Sequence, residues 1–282
     1  MRWTVVVTWA RQVVLGPPSR WSGAEGDLTA AELDRAVGYP YAAPAGSYVV
    51  DAGTSAVSQL APGEERAWAG DRHAVLAVGS NGAPEQLVRK FGTAPGDRRI
   101  AVLAATVRDH DVAYAALVAH YGAIPATLAP SPGTAAAVKL TLLTDDQLTR
   151  MNETEGLGRS YVLDDIDPAA VDVGGAAVPS PARVRLYAAI PGPLEVGRAP
   201  VALSAVAATG RRWPARSEAE VLGDVAAALG TDIGTFVRRV VRDVGFRAQV
   251  NAALPAGVGP RAPTTATPDA GAGPRVRQHG RL

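Results

Sequence analysis

The segment HAVLAVGSNGAPEQLVRKF, residues 73–91, decides how the rest of the chain is read. HAVLAV (73–78) is a short apolar run of the kind that forms a buried strand. Gly79, Ser80, Asn81 and Gly82 make a turn. Pro84 then opens a helix over about 84–91, where its missing N–H would have no partner anyway. A glycine-rich turn feeding a helix start aims backbone N–H groups at one point, which suits a carboxylate or phosphate. Ser80 and Asn81 add side-chain donors. An ordinary strand–turn–helix connection fits the same spacing. No G-K-[ST] follows, so the turn is not a P-loop, and G-x-G-x-x-G is absent.

Beyond this segment, RIAVLAATV (99–107), VAYAALV (112–118), AAAVKLTLL (135–143) and ARVRLYAAI (182–190) read as further strands. A second helix spans about 145–154. Many short strands with few helices predict an α+β fold. Its centre is a small mixed β-barrel or strongly curved sheet with flanking helices, not regular βαβ winding. Residues 72–192 form this core. Residues 1–71 read as an N-terminal extension of unclear fold. In it WTVVVTW (3–9) and GSYVVD (46–51) resemble strands, and LTAAELDRAV (28–37) resembles a short helix. Residues 193–254 read as a C-terminal helical region. There Ser217 and Glu220 form a capping box, Val221, Leu222, Val225 and Leu229 share one face, and Gly230 stops the helix. A second helix carries Ile233, Phe236, Val237, Val240, Val241 and Val244, giving a helical hairpin. Residues 255–282 contain five Pro and five Gly and read as a disordered basic tail.

The chain has 282 residues, with 28 Lys plus Arg against 27 Asp plus Glu, and no cysteine. That excludes a disulfide framework and a Cys-ligated metal site. It also gives no basic excess for nucleic-acid binding. Of the cations only Lys90 and Lys139 are lysines. No stretch approaches the roughly 20 apolar residues that span a bilayer, and no cleavable signal is evident, so cytoplasm is the default compartment.

A second stretch carries chemistry: LLTDDQLTRMNETEGLGRSYVL, residues 142–163. Thr144 and Gln147 make a capping box, and Asp145 and Asp146 favour the positive helix end. Leu148 and Met151 form the apolar face, and continuing by four places Glu155 on that face. An inward carboxylate is costly unless paired or at work, and desolvation would raise its pKa toward what a general acid/base needs. A frayed last turn with a solvated Glu155 fits the same pattern. Gly156 and Gly158 end the helix.

Together, the Val78-Gly79-Ser80-Asn81-Gly82 turn and the Met151-Asn152-Glu153-Thr154-Glu155-Gly156 helix end, followed by Tyr161, resemble the γ-glutamylcyclotransferase-like superfamily. The resemblance covers about 120 residues. It implies a cavity holding a γ-glutamyl group, with Gly79, Ser80, Asn81 and Gly82 binding it and Glu155 as general acid/base. It also implies release of 5-oxoproline and an amine by intramolecular cyclisation, an acyltransferase- or lyase-type step needing neither metal nor cofactor. The partner implied is a small-molecule γ-glutamyl substrate, with no nucleic acid and no membrane. Val78 stands where the family has Tyr, and Gly82 where it has Leu. A non-catalytic binding or protein-interaction module that keeps the fold is the alternative. Tyr161 follows the motif, and Tyr187 on ARVRLYAAI is a further cavity candidate, with core packing equally consistent. Arg159 and Arg185 are candidates for a substrate carboxylate. Asp109-His110-Asp111 makes a poor metal site because neighbours in a strand point to opposite faces. His120 and Tyr121 read as structural. Ser80 as an acyl-transfer nucleophile lacks a G-x-S-x-G frame.

Overall fold

The computed structural model describes residues 26–174 and 181–254. The expected strand at 3–9 and the tail at 255–282 lie outside the described residues. The described chain begins with α1 (Ala30–Val37), opened by a Thr29/Glu32 capping box. The hairpin β1 (Tyr48–Asp51) and β2 (Ala56–Gln59) follows, then β3 (His73–Ala77) and α2 (Pro84–Phe91). The long strands β4 (Arg99–Tyr114) and β5 (Ala126–Leu143) lead into α3 (Asp145–Thr154). Next come β6 (Tyr161–Ile166), β7 (Val171–Val173) and β8 (Val184–Ala189). Five two-residue strands follow: β9 (Glu195–Val196), β10 (Ala199–Pro200), β11 (Ala202–Leu203), β12 (Ala208–Thr209) and β13 (Ala215–Arg216). The chain then forms α4 (Glu218–Ala228), α5 (Ile233–Arg242) and α6 (Val244–Ala253).

Eleven strands share one mostly antiparallel sheet, whose main path runs β13-β11-β4-β5-β3-β8-β6. β1 pairs with β2 and β4, β7 with β4, and β12 with β5. β3 with β8 and β11 with β13 are the parallel neighbours. The expected barrel is therefore corrected. The path ends on β13 and β6, which do not pair, so the sheet is open. The α+β class with flanking helices stands.

The expected strand 99–107 and the start of the expected strand 112–118 merge into the single strand β4, which ends at Tyr114. A register shift between Arg108 and His110 absorbs the polar break, with Asp109 in left-handed conformation at φ 57°. The Asp109 carboxylate caps the neighbouring turn by accepting from the Gly133 N–H at 2.8 Å. Asp111, fully buried, takes two 2.8 Å hydrogen bonds from Arg211. The expected helical hairpin is three helices. Asp243 interrupts the second and caps α6 by accepting from the Phe246 N–H at 2.8 Å.

Side-chain alternation along β3 divides the core into two layers. Ala74 and Leu76 face the larger layer, which holds Phe236, Val237, Val240 and Phe246 of the C-terminal helices. Val75 faces the other layer, with Leu87 and Phe91 of α2 and Leu148 and Met151 of α3. Among the described residues no helix is long and apolar enough to cross a membrane.

Candidate active site

The carboxyl end of β3 opens into a cavity of about 570 Å³. Three local structures build its floor. The first is the turn after β3: Ser80, Asn81 and Gly82 make a 3-10 turn, and Pro84 starts α2. The second is the end of α3, whose Thr144/Gln147 capping box forms in full and whose C-cap is Glu155. Gly156 and Gly158 then take φ values of 61° and 76°, which suit glycine and turn the chain away. The third is the pair β6 and β8, which carry Tyr161 and Tyr187.

Glu155 faces inward, with its side chain 11% exposed. The carboxylate is not alone. The Lys90 ammonium donates to its Oε1, and Asn81 Nδ2 donates to the same oxygen at 3.0 Å. Lys90 also donates to Asn81 Oδ1 at 2.8 Å and meets the Met151 sulfur at 3.3 Å. The side chains of Glu155, Lys90 and Asn81 thus form a closed triangle, which pairs the inward carboxylate. Sequence reading missed Lys90. The signal was in α2, whose buried residues are Leu87, Lys90 and Phe91, all on one helical face.

The turn behaves differently from the expectation of a ring of free amides. The Gly82 and Ala83 N–H groups close onto the Gly79 and Ser80 carbonyls at 3.5 and 2.8 Å. Only the start of the turn, Gly79 to Asn81, reaches the cavity. Gly79, Ser80 and Asn81 line the Glu155 cavity, as do Tyr161 and Tyr187, whereas Gly82 does not. Gly82 lines a neighbouring hollow of about 910 Å³, and its carbonyl accepts from the buried Tyr48 hydroxyl. A Cβ at Gly82 would stand 2.8 Å from the Lys139 side chain. The second lysine is also committed, donating to the carbonyls of Ala45 and Gly46 at 2.9 and 3.0 Å.

A phenol that sequence reading missed completes the floor. Tyr39 follows α1 and is 6% exposed. Its oxygen accepts the Ala126 N–H at 2.7 Å, and the Ser80 amide is directed at the same oxygen. With its acceptor side occupied, its own O–H is left to donate toward the cavity. A Cβ on Gly79 would come within 2.0 Å of that hydroxyl, so glycine is required there for the two segments to meet. Burial, reinforced by the negative charge of Glu155, pushes the Tyr39, Tyr161 and Tyr187 phenols upward. All three are neutral donors at physiological pH. Tyr187 is fixed by its 2.7 Å bond to Asn152 Oδ1.

Of the other expected residues, Arg159 lies on the cavity wall and Arg185 does not. His120 and Tyr121, expected to be structural, both line the cavity. Among the described residues no group of three His, Cys, Asp or Glu side chains could hold a metal ion.

Comparison by sequence finds no matching family and no matching curated protein. Comparison of structures finds neighbours at low similarity, among them the following three. A gamma-glutamyl cyclotransferase is 13% identical, with 66% of this chain and 90% of that chain covered and a TM-score of 0.33. An uncharacterized protein from Homo sapiens is 14% identical, over 67% and 91%, with a TM-score of 0.32. A protein of Arabidopsis thaliana is 17% identical, over 42% and 68%, with a TM-score of 0.30.

Proposed function

We propose that the protein cyclises a γ-glutamyl amide or peptide to 5-oxoproline and releases the amine. The observation that carries this is Glu155, a carboxylate fixed by Lys90 and Asn81 on the floor of a cavity ringed by neutral phenols. The substrate's α-carboxylate sits against the start of the turn at Gly79 and Ser80. Glu155 takes a proton from the α-amine, whose nitrogen then attacks the γ-carbonyl carbon. The Tyr39 hydroxyl donates to the carbonyl oxygen as negative charge develops there. The C–N bond to the leaving amine breaks as Glu155 returns the proton to that nitrogen. No water is consumed. The fixed walls, Tyr161 among them, hold the chain folded so that amine and carbonyl meet, which supplies much of the acceleration. The test is 5-oxoproline release from a panel of γ-glutamyl amides, and the reading fails if no member yields it.

Binding without turnover is the second reading. It is favoured by the Lys90 ion pair, which occupies the carboxylate that would act as base. Saturable ligand binding with no 5-oxoproline would select it.

A further inference from the structure

The cavity carries charge that the reaction does not use. Five cations line the cavity, Arg35, Arg89, Lys90, Arg159 and Arg247, against the two carboxylates Glu153 and Glu155. Lys90 is answered by Glu155, Arg89 by Glu85, and Glu153 is already paired with Arg150. Among the described residues Arg35, Arg159 and Arg247 pair with no carboxylate. The Arg35 guanidinium lies 4.6 Å over the Tyr121 ring, and its Nε is buried without a hydrogen-bond partner. Arg247 spends one N–H on the Val240 carbonyl at 2.6 Å. His120 stands edge-on to Tyr121 with ring centroids 5.3 Å apart. Partial burial and the positive charges of Arg35 and Arg247 hold its imidazole below the ordinary value.

Uncompensated guanidiniums lining one cavity repel each other and draw in an anion. Their planar fork matches the two oxygens of a carboxylate or phosphate. Arg35 comes from α1 and Arg247 from α6, so the pair exists only where both flanking helices meet the sheet. We propose that Arg35, Arg247 and His120, with Arg159 at the rim, form an oxyanion subsite that binds a carboxylate or phosphate carried by the amine half of the substrate. This deepens the cyclisation reading and rests on it.

The test uses the full chain and two matched ligand pairs. One is γ-glutamylglycine against γ-glutamylglycinamide. The other is γ-glutamyl-phosphoethanolamine against γ-glutamylethanolamine. Each is read as kcat/KM where 5-oxoproline forms, and as Kd by calorimetry where it does not. The anionic member is expected to be favoured about tenfold or more in at least one pair. That preference should fall to about twofold or less in Arg35→Gln and in Arg247→Gln. A preference confined to one pair names the oxyanion the site takes. Equal values in both pairs, or a preference untouched by either variant, overturns the subsite even if 5-oxoproline is released. A preference in binding with no 5-oxoproline overturns the reaction and leaves the subsite standing.

Discussion

The end of α3 and the start of α4 each bury a glutamate, and the fold treats the two in opposite ways. Glu155 meets a cation and an amide side chain at the floor of a cavity. Glu218, 3% exposed, has one oxygen accepting the Ile124 N–H at 2.7 Å and the other with no partner. Among the described residues no cation pairs with it, and burial pushes its carboxyl well above the ordinary value. A helix N-terminus favours negative charge, yet desolvation outweighs that help at Glu218. What decides whether a buried carboxyl is a chemical group or a neutral structural acid is the cation packed with it, not the helix that carries it.

The comparison breaks most sharply at Glu155. Glu155→Gln should lower 5-oxoproline release about 10²- to 10⁴-fold while circular dichroism shows the fold intact. Persistent release would remove the carboxylate from the mechanism. Tyr39→Phe should lower kcat about 10²-fold by deleting the donor to the developing oxyanion. Its KM should change less, as steady-state kinetics would report. Lys90→Met should strand Glu155 as an uncompensated buried charge and lower unfolding stability by about 3 kcal/mol in denaturant titration. Glu218→Gln gives the smallest and most diagnostic effect. A carboxyl raised in the folded chain keeps its proton after the unfolded chain has released it. Stability of the wild type should therefore fall as pH rises above 4.5 toward the folded value. The glutamine variant should show a flatter profile of melting temperature between about pH 5 and about pH 8, with activity retained. A profile as steep as the wild type's would show that Glu218 is not the source.

Much of the site's floor was legible in the sequence because local rules set it. Pro84 and the Thr144/Gln147 box fixed the starts of α2 and α3, and the four-residue step from Met151 placed Glu155 inward. Lys90 was equally open to the same helical phase. Gly82 was assigned to the wrong side because residue spacing does not say which way a 3-10 turn rolls. Tyr39 carried no local signal, since its partner at Ala126 is 87 residues away. Apolar runs announce a sheet, but closure into a barrel depends on strand tilt and stagger that no single run encodes. The charged residues 108–111 separate two apolar runs, and a bulge lets one strand continue through them.

The contacts of α1 bear on the order in which the molecule is made. α1 packs on α4 and α5, and Arg242 of α5 donates at 2.9 Å to Glu32 of α1, 210 residues earlier in the chain. The β4–β5 hairpin needs only neighbouring sequence, so it can form while the later helices are still being synthesised. Glu155 and Lys90 are in hand at the same stage. Arg247 arrives with α6, the last described helix. A chain stopped before α6 would therefore carry Glu155, Lys90 and Arg35 without Arg247, and so without one arginine of the proposed oxyanion subsite.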